Sequence, residues 1–423
     1  MRTTRAGFTA LALATAMAMT GCAEISGGSS GAGGDGVEFG ATKEEYQAAF
    51  EGVGPITLTA QTLAPKGSVS GKPTEDYLAA VTEWSGGKII FDISYSNAIA
   101  PPNETAEAFV DGRLDVANVI PVYKPAEYPA YNAVINSAGA VASPGLAVGN
   151  LQANSAPIEL AFSTPEIEAE FRNAGVVPLA PYFVTGPPAM VCKDKRVSLN
   201  DVKGAQISVS SAAQREQVER LGATAVSLSF AEVFEGLQRG VIDCTVTSLT
   251  AIQTGGLLQV AKYIVLDEQV GFSPASAAFG FSVSRWDSLP LVARQLLRDR
   301  VDVFLESSIE NMNWPDASNL VGEIEKFGGT VASWSDDARD KLAGIKADQL
   351  DALSENTALA DPRAAIEGAR KMSEAWLARS AELTGAEDVA LTDFKEWFAR
   401  REFEIRPWVD AVMEDIYLPH RPH

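Results

Sequence analysis

The sequence predicts an α/β fold organised as two lobes, and three observations carry that expectation. Strand-like runs alternate with helix-like runs along most of the chain, which implies crossover connections and largely parallel sheets. The stretch "GRLDVANV", Gly112 to Val119, has its opening repeated 128 residues later in "GVIDCTVT", Gly240 to Thr247: a glycine, then an apolar residue and an aspartate two and three places on. Each copy follows a helix-like run and leads into a short apolar strand. Finally, 423 residues suffice for two or three hydrophobic cores.

At the N-terminus, Arg2 and Arg5 precede the apolar run "FTALALATAMAM", too short to remain as a membrane span, which ends in "MTGCAE". This is the order of a bacterial lipoprotein leader: residues 1–21 as signal peptide, with Cys22 lipidated as the first mature residue. A plain secretory leader with an incidental cysteine is the alternative. Loss of the two arginines takes the formal charge from −21 to −23. The Gly/Ser-rich "ISGGSSGAGGDG" then forms a flexible tether. Residues 23–38 would span roughly 20–25 Å as a coil, which holds a domain just off a membrane. A short helix, "TKEEYQAAF", completes the leading segment 22–52.

The body opens with a strand, "ITLTAQT", whose apolar side chains alternate at Ile56, Leu58 and Ala60. A helix follows with Pro73 near its start, Gly86–Gly87 at its stop, and a stripe of Tyr77, Leu78, Val81 and Trp84. The alternation of Ile89, Phe91, Ile93 and Tyr95 marks a second strand. A helix from Glu104 stops at Gly112, and "LDVANVI" is a third strand. The second half repeats the pattern: "PAMVCKD" as strand, "SLNDVKGAQISVS" as turn and strand, a helix closed by Gly222, "AVSLS" as strand, "FAEVFEGLQRG" as helix, and "VIDCTVTSL" as strand. After "SLP", two adjacent rows, Val292–Leu296–Val303–Phe304 and Leu297–Val301–Leu305, predict a deeply buried helix, with Pro315 limiting its end.

Residue counts exclude several chemistries. With 55 acidic against 34 basic residues, a nucleic-acid partner is not expected. The only histidines, His420 and His423, lie in the tail, so the body holds no His-dependent triad or His-rich zinc site, and no metal or cofactor is expected. The body cysteines, Cys192 and Cys244, either pair outside the cytoplasm or remain two buried thiols. "GSVSGKPT" from Gly67 has glycine spacing one residue short of a phosphate loop and a proline after the lysine, so it is not one.

Taken together, "KPTEDYLAAVTEWSGGKIIFDISYSNAI", "ETAEAFVDGRLDVANVIPV", "SLNDVKGAQISVSSAAQREQVERLGATAVSLSFAEVFEGLQRGVID" and "SRWDSLPLVARQLL" resemble the solute-binding proteins of TRAP transporters, the DctP family. The likeness covers roughly Ile56 to Asn313 and weakens through "FGGTVASWSDDARDKL". It implies a periplasmic-binding-protein-like fold: two lobes with mixed sheets, crossing strands and a long spine helix. The expected division is residues 53–183 plus 272–312 for lobe 1 and 184–271 plus 313–340 for lobe 2. A helical extension, 341–423, would pack on both. The implied function is to close around a small organic solute outside the cytoplasm and deliver it to a permease of small and large membrane subunits.

The departures bear on the ligand. Where the family strand carries a carboxylate-gripping arginine, this chain has Ser208; a second family arginine, expected near "FVTGPPAM", is missing; Thr247 stands at a family asparagine. A serine hydroxyl is a single neutral donor, whereas a guanidinium offers five charged ones. Two expectations stay open. The solute is neutral or apolar and oriented by Ser208, Ser210, Thr245, Thr247 and Ser248, or an anion is met by the helix N-terminus near Ser211, by Lys66 or by Lys124. Ser211 also suits a plain helix cap. Further cleft candidates are Gln61, Thr62, Asn97, Pro121, Tyr123, Tyr182 and Phe230, while Asp115 and Asp243 read as structural. Outside transport stand a ligand-sensing lipoprotein subunit for a receptor and a tethered His-free hydrolase, for which no phrase supplies an activated nucleophile.

Overall fold

The structure, a computed structural model, describes residues 35–423; the leader, Cys22 and most of the tether lie outside them. Eleven strands form two mixed sheets. In lobe 1, β1 (Ile56–Gln61) pairs in parallel with β2 (Ile89–Ser94) and β3 (Val116–Val119). The antiparallel β10 (Ala277–Ser282) joins β3 to the edge strand β4 (Val176–Phe183). Pro178 and Pro181 fit β4 because an edge strand leaves half its N–H groups out of the ladder. In lobe 2 the order is β11-β9-β5-β8-β6-β7, with β5 (Pro188–Cys192), β6 (Gln206–Ser208), β7 (Thr224–Val226), β8 (Cys244–Ser248), β9 (Tyr263–Val265) and β11 (Thr330–Ala332). Only β5 runs against its neighbours there.

Alternation along β5 divides lobe 2 into two faces. Ala189 and Val191 join the large core that also fills lobe 1, whereas Met190 and Cys192 belong to a smaller core with Ile207, Val218, Leu342 and Ile345. Two backbone segments connect the lobes: 184–187 between β4 and β5, and 266–276 between β9 and β10.

The third connection is a helical run from Leu291 to Phe327. It corrects one expectation: Pro315 does not end the helix. A wide π-helical turn, Ser308–Asn313, precedes it, and the α-helix resumes at Trp314 with Pro315 in its first turn. Proline is tolerated there because a first-turn N–H has no intrahelical acceptor to lose. The run stops at Gly328, whose φ is +66°.

Two expected boundaries also shift. The leading helix Lys43–Ala49 belongs to lobe 1: Tyr46, Phe50 and Val53 enter its core, and the Tyr46 hydroxyl donates to Asp299 at 2.5 Å. The cut between residues 340 and 341 falls inside the helix Asp336–Ala352, whose Leu342 and Ile345 complete the smaller core of lobe 2. Beyond it, the 23-residue helix Pro362–Thr384 packs on the helices Pro129–Val141, Val148–Ala153 and Ala156–Phe162, and Leu391–Arg400 packs on Trp314–Phe327. Asp388 docks this extension by accepting the N–H groups of Ala147 at 2.7 Å and Gly149 at 3.2 Å. Gly145 makes the approach possible, since a Cβ there would lie 2.0 Å from that carboxylate. Among the described residues no helix is long and apolar enough to cross a membrane.

Candidate functional site

The repeated phrase builds the same joint in each lobe. Gly112 and Gly240 hold φ of +80° and +75°, a left-handed turn that glycine adopts without a Cβ clash. Three residues on, Asp115 donates its N–H to Thr59 O at 2.8 Å, and its carboxylate accepts the Thr59 N–H at 2.8 Å. Asp243 treats Gln206 identically, at 2.8 Å in both directions. Each carbonyl then accepts from the neighbour on the other side, Ser282 N–H for Asp115 at 2.9 Å and Lys193 N–H for Asp243 at 3.0 Å. Two residues further along the bracketed strands come Gln61, opposite Ala117, and Ser208, opposite Thr245. These are equivalent positions at the carboxyl ends of parallel strands, the edge on which open α/β sheets receive ligands.

In lobe 1 that edge is tied to itself. Gln61 is 2% exposed, and its amide donates to Ala100 O at 2.8 Å while accepting the N–H groups of Ile99 at 2.9 Å and Ala100 at 3.0 Å. It also reaches Asn97 Oδ1 at 3.3 Å. Ser96 and Asn97 are the only non-glycine residues with positive φ among those described, +52° and +56°, so this loop is strained and Gln61 holds it. Thr62 is buried and accepts the N–H of Ala64 at 3.3 Å. Pro121 is buried, Tyr123 is 45% exposed, and Tyr182 packs inside the lobe 1 core. Lys66 is exposed beside the Tyr95 ring, and Lys124 is paired with Glu107 and Glu127.

In lobe 2 the edge is short and hydroxylic. Ser208 and Thr245 are buried, Ser210 and Thr247 half-buried. Ser211 caps the helix Ala212–Arg220 by accepting the Gln214 N–H at 3.2 Å, so one of the donors that could meet an anion is already used. Gln214 and Gln217 from the same helix hold Ser273 in the second connecting segment, at 2.9 Å and 2.8 Å. Ser248 caps Leu249–Thr254 and meets Thr185 in the first connecting segment at 2.8 Å. Phe230 opens its helix 50% exposed. Behind this edge Cys192 and Cys244 face each other across β5 and β8 and form a disulfide.

Sequence reasoning missed Lys346. Its ammonium is buried, donates to Gly271 O at 3.1 Å, and has no acidic partner among the described residues. Burial lowers its pKa to about 8. It lines a small cavity of about 20 Å³, room for one water-sized group, with Gly186, Pro187, Phe272 and Pro274 of the two connecting segments and Pro188 at the start of β5. That is the stretch where the second arginine was expected. One signal was present: residue 346 lies four places after Leu342, on the apolar face of its helix.

The model of the DctP family, bacterial extracellular solute-binding protein, family 7, matches residues 60–351. A solute-binding protein of Albidiferax ferrireducens is 24% identical over 285 residues, 65% of this chain and 80% of the relative. Among solved structures, a TRAP solute-binding protein from Rhodoferax ferrireducens, complexed with copurified benzoate, has a TM-score of 0.65 at 17% identity and covers 77% of this chain and 100% of its own. A sugar acid binding protein from Advenella mimigardefordensis, complexed with galactonate, has a TM-score of 0.61 at 18% identity and covers 77% and 99%. About a quarter of this chain thus has no counterpart in either structure.

Proposed function

The chain belongs to family 7 of the bacterial extracellular solute-binding proteins, the DctP family, a family of binding proteins and not of enzymes, and we propose that it captures a small organic solute between its lobes and delivers it to a TRAP-type permease. The observation that carries this is the duplicated Gly-x-x-Asp joint, which sets the carboxyl edges of two sheets on either side of two connecting segments. Closure gains only what both lobes grip together, so solute binding and lobe closure are one equilibrium.

The solute we favour is neutral or largely apolar. The groups at the lobe 2 edge are hydroxyls, at Ser208, Ser210, Thr245 and Thr247, and Phe230 presents an exposed ring. From lobe 1 we assign Thr62, Pro121 and Tyr123 to the cleft wall, while Gln61, Asn97 and Tyr182 shape it from behind. Lys346 favours a second reading, in which its ammonium replaces the missing guanidinium and the solute is a monocarboxylate. In either case the protein is held outside the cytoplasm by lipid on Cys22 and by the Gly/Ser tether. The same closure also suits a sensing subunit for a receptor.

A melting-shift screen of the mature chain decides between solutes, because a ligand that binds only the folded state raises the melting temperature without being consumed. The first reading expects stabilisation by neutral compounds. Stabilisation by carboxylates alone, abolished in Lys346→Met, supports the second. A panel of metabolites without any saturable shift overturns the binding reading itself. Cys22→Ala is expected to release the protein from the membrane fraction.

A further inference from the structure

We propose that the cavity between the helix Leu291–Asp299, strand β4 and the segment Pro419–His423 binds a doubly charged oxyanion, the class that includes inorganic phosphate and short dicarboxylates. This cavity has a volume of about 320 Å³, within the usual size range of small-molecule sites. It lies on the outer edge of lobe 1 and is closed by a segment beyond the family match at 60–351, so it is separate from the solute site.

Charge marks it out. The whole chain carries −21, yet among the described residues the only acid lining this cavity is Glu168, against four arginines and both histidines. Two of the arginines are already neutralised: Arg172 by Glu168 at 3.2 Å and Arg421 by Asp299 at 3.0 Å. Arg294 and Arg298 have no ion pair among the described residues, and the Nε of each is shut off from water without a hydrogen-bond partner.

Arg298 is 6% exposed and is held in place on two sides. Its Nη1 donates to the edge carbonyls of Pro178 at 2.9 Å and Leu179 at 3.2 Å. Its guanidinium lies 5.6 Å from the Phe162 ring and 5.9 Å from the Trp286 ring. His420, which also lines the cavity, stacks on the same Phe162 ring at 4.7 Å. A guanidinium stays charged under all ordinary conditions, and burying it without a counterion is costly. Two guanidiniums call for two negative charges, and with Arg298 Nη1 spent on the strand carbonyls and both Nε atoms shut off from water, the remaining Nη groups are the donors for the oxygens of phosphate or carboxylate.

The test is a melting curve of the mature chain near neutral pH, with inorganic phosphate or malonate against sodium chloride at matched ionic strength. A saturable upward shift with either anion, absent with chloride, is expected. In Arg294→Gln, whose side chain is half-buried, the apparent affinity should fall roughly tenfold or more, the loss of one charge-assisted contact, with melting in chloride little changed. Arg298→Gln should lose the shift as well, and if it fails to fold the Arg294 variant decides alone. No shift beyond that of chloride, or an Arg294→Gln protein that responds like the parent, overturns the proposal.

Discussion

In lobe 1 the aspartate after Gly112 brackets Thr59 of β1, and in lobe 2 the aspartate after Gly240 brackets Gln206 of β6 with the same pair of 2.8 Å bonds. Past that point the lobes part. In lobe 1 the bracketed strand ends at Gln61, whose amide is spent on a strained loop of its own lobe. In lobe 2 it ends at Ser208, a short buried hydroxyl side chain paired with Thr245 of β8. Behind the joints, lobe 1 pairs Val116 with Phe281, whereas lobe 2 pairs Cys244 with Cys192 covalently. One local solution thus serves two ends: a lobe stiffened by side-chain hydrogen bonds at its rim, and a lobe stapled from within whose rim keeps short hydroxyls. The staple suits lobe 2, since one face of its sheet rests on the smaller core.

The largest test of this contrast removes the staple. With the cysteines 52 positions apart, the chain-entropy model gives about 4 kcal/mol lost in Cys192→Ala/Cys244→Ala. Denaturant unfolding of the oxidised parent and the variant measures it. Equal stability would mean that lobe 2 needs no staple.

Next comes the spine helix, which meets the two lobes with different carboxylates. Asp299 on the lobe 1 side is paired with Arg421 at 3.0 Å. Asp316 on the lobe 2 side is fully buried, neither carboxyl oxygen meets a well-formed hydrogen bond among the described residues, and burial, only partly offset by the nearby Thr250 hydroxyl, raises its pKa from 3.8 to about 7. Because the folded pKa is the higher, the folded state keeps a proton that the unfolded state has released. Stability should therefore fall as pH rises from about 4 to above 7, by on the order of 4 kcal/mol. Asp316→Asn should flatten that slope; a variant with the parent's pH profile would assign it to another group.

Smaller effects probe the joint. Asp115→Ala and Asp243→Ala each leave a strand N–H without its carboxylate and should cost about 2 kcal/mol apiece. Similar losses sharpen the equivalence, and a loss in one lobe only breaks it. Gly112→Ala and Gly240→Ala, forced into left-handed φ, should each cost about 1 kcal/mol by thermal melting.

Much of the fold was legible because its signals are local. The left-handed stops at Gly112, Gly222 and Gly240, the alternation along β1 and β2, and the Ser211 cap all follow from φ preference, side-chain period and short-range hydrogen bonding. Pro315 misled because a proline signals a break only if the preceding turn is α-helical, and here that turn is widened. At the two strand ends, sequence could name Gln61 and Ser208 but not tell that a buried amide would be consumed by residues 97–100.

By itself, then, the sequence determined two similar α/β halves, the joint that opens each, and the kind of side chain at each strand end, since these depend on neighbours a few residues away. Tertiary structure decided that Cys192 meets Cys244, that Lys346 is buried beside both connecting segments, and that Arg294 and Arg298 share a cavity with His420. Those facts arise between residues 52 to 126 or more positions apart, where strand register and helix packing bring groups together that no local pattern encodes.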